Sequence, residues 1–172
     1  MTVTLRVDNT TLSDYLHYLY PQEADGLKVS SDNILGKLLI AHCREAPAPM
    51  FPIEGECVVT LILPKCRATQ TLENKFLYYT AGDMAQLNMA LRACFDLDLA
   101  TYYRKGEAVG FSKKDIVEGF IFSRKLLSKD NFDAIHKRVY RRQQEIMGQL
   151  SRKLQRKLYY LEECMDDSGL KK

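Results

Sequence analysis

The seven residues Cys57 to Leu63, CVVTLIL, constrain the fold of this chain more than any other stretch. They form a continuous β-branched and Leu run of strand length, which suits a strand covered on both faces. Such a strand needs neighbours in a sheet and a helical layer against it, so the run predicts the central strand of a mixed helix and sheet structure. One neighbour is TVTLRV at 2–7, where Val3, Leu5 and Val7 alternate with polar residues, the period of a half-buried strand. Another is KFLYYT at 75–80, joined to the central run by PKCRATQTLEN, a connection short enough for antiparallel pairing.

Helical signals fill the intervals. Thr11 and Asp14 have the spacing of a capping box, and Leu12, Tyr15, Leu16 and Leu19 form a stripe that Pro21 ends. A second helix is expected from about Asp32 to Glu45, before Pro47, Pro49 and Pro52 impose a loop. Thr80 and Asp83 cap a long helix in which Met84, Leu87, Leu91, Phe95, Leu99 and Tyr102 recur at steps of three and four. Gly106 and Gly110 bracket a hinge. Ser112 and Asp115 then cap a helix to about Leu126, and Ser128 starts a longer one.

No strand signal follows Gly110. The expected class is therefore α+β: a small antiparallel sheet packed with helices over 1–110, followed by a helical extension over 111–172 made of a helix, a turn and a long basic amphipathic helix. KKDIVEGFIFSRKLLSKDNFDAIHKRVYRR at 113–142 is similar in outline to a helix-turn-helix unit. It has no turn glycine and its second helix is too long for a usual recognition helix, so no base-contacting positions carry over from that resemblance.

Enzyme motifs fail on geometry. Asp96 and Asp98 look like a metal-binding pair, yet on a helix they point about 200° apart. His42 and Cys43 are helix neighbours, which do not face each other as a base and nucleophile would. No Walker loop, GxGxxG or GxSxG occurs, and His17, His42 and His136 lack ligand spacing with any cysteine. No catalytic residue, metal or cofactor is expected.

Charge is more informative. Residues 1–100 hold 8 Lys and Arg against 12 Asp and Glu, a net of −4, whereas 101–172 hold 17 against 10, a net of +7. The excess concentrates in HKRVYRRQQEIMGQLSRKLQRK at 136–157, with eight cations and one acid, Glu145. At 100° per residue, Arg138, Arg141, Arg142, Arg152 and Arg156 share an arc of about 100°. Phe132, Ile135, Val139, Ile146, Leu150, Leu154, Leu158 and Leu161 fall on a separate stripe between about 60° and 200°. Arg138 to Arg156 covers about 27 Å, the span of several phosphates. Pairing Arg138 with Arg142 and Arg152 with Arg156 at four-residue spacing costs a few tenths of a kcal/mol each, which an anionic partner would offset.

The sequence thus predicts a protein that binds nucleic acid, DNA ahead of RNA, mainly through the phosphate backbone. The expected contacts are Lys137, Arg138, Arg141, Arg142, Arg152, Lys153, Arg156 and Lys157, with Arg104 and Lys105 as an extension of the patch. The alternative is an assembly or adaptor protein, in which residues 130–165 make an interhelical seam and the chain forms a homo-oligomer or binds a partner. Five cysteines, an odd number without CxxC spacing, fit reduced thiols, and no apolar run approaches the roughly 20 residues of a membrane span. No membrane association and a cytoplasmic location are expected.

Overall fold

The computed structural model describes residues 1–50, 53, 55–67, 69–126, 133–141 and 152. Its elements in chain order are β1 (Thr2–Arg6), α1 (Thr10–Leu19), β2 (Gln22–Glu23), β3 (Gly26–Lys28), α2 (Ile34–Ala41), β4 (Arg44–Ala46), β5 (Val58–Ile62), β6 (Phe76–Tyr78), α3 (Ala81–Val109) and α4 (Lys113–Ser123). Residues 133–141 and Arg152 are helical as well. The class is α+β.

The CVVTLIL run becomes β5, and it is an inner strand of a sheet ordered β1-β5-β3-β2. Val59 and Leu61 are buried, while Val58, Thr60 and Ile62 on the opposite face are half-buried. Burial is thus complete on one face only, not on both as the run suggested. β1 pairs antiparallel with β5, Val3 opposite Leu61 and Leu5 opposite Val59. The other neighbour is β3, which runs parallel to β5 and makes the sheet mixed. β3 is permitted there by Gly26: its φ is +143°, and a Cβ would lie 2.5 Å from the Thr60 carbonyl oxygen.

KFLYYT pairs elsewhere than expected. β6 joins β4 in a separate two-stranded sheet, with Arg44 opposite Tyr78 and Ala46 opposite Phe76. The helix expected to continue through Glu45 ends at Ala41, and Arg44–Ala46 extends as a strand. Tertiary bonds favour this outcome, because His42 and Arg44 both reach Asp83 at the start of α3 and hold the chain beside β6. α1 also starts differently: Asn9 caps it, its Oδ1 accepting from Leu12 N at 2.9 Å, so Thr11 lies inside the helix.

The capping box at Thr80 and Asp83 forms as expected and opens α3, 29 residues or about 43 Å long. Leu87, Leu91, Phe95, Leu99 and Tyr103 are buried at four-residue steps along it. Phe95 meets Tyr15 and Phe120 edge to face, with ring centroids 5.2 and 5.7 Å away. α4 closes over α3 through Ile116, Val117 and Phe120. α3 runs unbroken through Gly106 to Val109, so there is no hinge at Gly106.

The chain divides into two compact units, Met1–Asn131 and Phe132–Lys172. Among the described residues no helix is long and apolar enough to cross a membrane.

Candidate nucleic-acid interface

Two carboxylates of α3, Asp83 and Asp98, are each held by an arginine. Asp83, 5% exposed, receives Arg44 Nε and Nη2 at 2.8 and 3.2 Å, lies 3.1 Å from His42 Nδ1 and accepts the Thr80 amide at 3.1 Å. The Arg44 guanidinium, then Thr80 and His42, hold its carboxyl far below the usual carboxylate range. Asp98 is likewise taken, by Arg124 Nε and Nη2 at 2.8 and 3.0 Å and by the Tyr15 hydroxyl at 3.3 Å. Burial first, and then the Asp98 charge, push the Tyr15 phenol well above its ordinary value. Among the described residues no three His, Cys, Asp or Glu side chains gather around a common point that could hold a metal ion.

The described cysteines, Cys43, Cys57, Cys66 and Cys94, form no disulfide with one another. Cys43 and Cys66 line one cleft of about 590 Å³ together with Lys37. Burial pushes the Cys43 thiol up to about 11, so it stays protonated at neutral pH and is a poor nucleophile.

Helical residues 133–141 carry the first part of the expected basic stripe. Ile135 is 1% exposed and Val139 is half-buried, whereas Lys137 and Arg141 are exposed. The apolar and basic positions fall on different sides, as their angular separation requires. Arg138 differs from its two neighbours: it is half-buried and already engaged by another group. Tyr140 is 56% exposed beside Arg141, and Arg152 is helical and exposed. Arg142, Lys153, Arg156 and Lys157 lie outside the described residues.

The structure exposes the expected Arg104 and Lys105 extension and adds two lysines to it, Lys113 and Lys114. Arg104 and Lys105 near the end of α3, and Lys113 and Lys114 at the start of α4, are all exposed around one short turn. Between them Val109 and Phe111 are 73% and 61% exposed. The signal was present in the sequence as a Gly-Phe step flanked by lysines, but its exposure depends on how α4 packs. Compared with known proteins, the chain matches no protein-family model, no curated protein and no solved structure.

Proposed function

We propose that this protein binds nucleic acid, duplex DNA ahead of RNA, by setting a basic helix against the phosphate backbone. The observation that carries the reading is the split within residues 133–141, where Ile135 is buried while Lys137 and Arg141 are exposed. A helix anchored by its apolar side holds its cations at fixed spacing, and fixed cations lose less freedom on meeting phosphates than mobile ones do. Lys137, Arg141 and Arg152 are the primary contacts, with Arg142, Lys153, Arg156 and Lys157 extending the stripe. No catalytic role is proposed, and the cytoplasm is the proposed compartment on the odd cysteine count.

Binding of the full chain to a duplex across a salt series tests this. Five to eight neutralised phosphates give a slope of log affinity on log salt of roughly −4.5 to −7. Changing Lys137→Gln and Arg141→Gln together flattens it by about 2 and weakens all sequences alike, because phosphates carry no base information. A wild-type chain that fails to bind near 50 mM salt, with the same substitutions altering its size in light scattering, replaces this reading with the assembly one.

A further inference from the structure

The turn between α3 and α4 leaves an aromatic ring without the partner its motif normally supplies. Gly110 ends α3 at a φ of +90°, with Phe111 N donating to the Gly106 carbonyl at 3.1 Å and Gly110 N donating to that of Glu107 at 3.0 Å. In this type of helix end, the residue after the glycine usually lays its apolar side chain on the residue five positions earlier. Here that residue is Gly106. It must be glycine because α4 docks there: a Cβ would lie 2.6 Å from Ile116 Cγ1. The choice that lets the two helices approach strips Phe111 of its cover, and the ring stays 61% exposed beside Val109 at 73%.

Exposed cations lie on both sides of it in the sequence. Arg104 and Lys105 are exposed and make no ion pair among the described residues, and Lys114 pairs loosely with Glu118 at 3.8 Å. Lys113 and Lys114 occupy the first turn of α4, where the helix dipole disfavours cations and favours a bound anion. Of the nearby acids, Asp115 is bonded to the Ser112 cap.

We propose that the α3–α4 turn is a stacking site for an unpaired base of single-stranded nucleic acid, with Phe111 under the base and Arg104, Lys105, Lys113 and Lys114 on the flanking phosphates. The ligand class rests on the nucleic-acid reading above, while the site itself is separate from residues 137–157. Charge favours this occupant over a lipid surface. Four cations against Glu107, Asp115 and Glu118 leave a net of +1, too little to hold an anionic bilayer with two apolar side chains. Discrete phosphates need only individual cations, and a phenyl ring accepts any base face. Single strands are favoured because entering a duplex requires unstacking it.

The test compares wild type, Phe111→Ala and Phe111→Tyr in the full chain, using oligo(dT) carrying one 2-aminopurine, a duplex of equal length, and vesicles of mixed phosphatidylserine and phosphatidylcholine. Phe111→Ala should weaken single-strand binding roughly 5- to 150-fold, the worth of one stacked base, and leave duplex binding within about twofold. Phe111→Tyr should restore it, and the 2-aminopurine quenching on wild type should vanish with Phe111→Ala alone. Single-strand binding that survives Phe111→Ala overturns the proposal, as does an equal loss on duplex or a loss confined to vesicles. If wild type shows the duplex salt slope while Phe111→Ala changes nothing, this site fails and the basic helix stands. If wild type binds neither strand form, both fail.

Discussion

Two carboxylates of α3, Asp83 and Asp98, and two cations of residues 133–141, Lys137 and Arg141, have opposite fates. In the first unit, the carboxylates at the beginning and middle of α3 are each met by a guanidinium: Asp83 by Arg44, and Asp98 by Arg124. Arg124 is further enclosed by aromatic faces, its guanidinium carbon 4.8 Å from the Tyr18 ring centre and 5.6 Å from that of Phe120. These pairs tie α3 to the β4 strand and to α4. In residues 133–141, by contrast, Lys137 and Arg141 stand in solvent next to the buried Ile135. The contrast separates charge used to fix architecture from charge left available for another molecule, and a count of Lys and Arg along the sequence does not distinguish the two.

Three experiments would break or sharpen it. The largest effect is expected at Phe95, which has no exposed surface and meets Tyr15 and Phe120 edge to face. Phe95→Ala should cost about 3 to 5 kcal/mol in denaturant unfolding, and a loss below 1 kcal/mol would mean that the aromatic centre is not holding α1, α3 and α4 together.

Next comes acid. The ordinary value for Asp83 is 3.8, and its folded-state value is depressed, so the unfolded chain takes up this proton first as pH falls. Its contribution is fully present above pH 3.8 and is lost progressively below it. Asp83→Asn should lower stability at neutral pH and remove about one proton from the slope of stability on pH between roughly 2 and 4. An unchanged acid limb would show that the carboxylate is not held by Arg44 and His42 in solution.

The smallest effect belongs to the basic helix. Lys137→Gln with Arg141→Gln should change unfolding stability by no more than about 0.5 kcal/mol, since both side chains are exposed and Gln is nearly as good a helix former. A loss above 1.5 kcal/mol would erase the comparison, because it would place these cations in the architecture too.

How much of this was legible in the sequence varied with the range of the interactions. The Thr80–Asp83 box, the four-residue apolar steps of α3 and the Ser112 cap of α4 could be read directly, because each is satisfied within one or two turns of the same helix. The separation of Ile135 from Lys137 and Arg141 was legible for the same reason. The start of α1 was misjudged by two positions, since Asn9 and Thr11 are both competent caps and only the local backbone chooses between them. β3 and β4, of three residues each, were missed entirely. Strands that short carry no period of their own and exist because β5 and β6 present hydrogen-bonding edges to them.

The sequence by itself determined that this chain has an inner apolar strand, a long helix after it and, within the described residues 133–141, a helical segment that sets Ile135 apart from Lys137 and Arg141. Only the tertiary structure decided the rest. It paired β6 with β4 because Asp83 draws His42 and Arg44 to the head of α3. It turned Gly106 from a hinge into a point of close helix approach, and so exposed Phe111. It also half-buried Arg138, which the helical wheel had placed at the centre of the basic arc. The physical reason is the same in each case: periodicity records which side of an element is apolar, whereas partners distant in sequence settle which polar groups are consumed and which surfaces remain open.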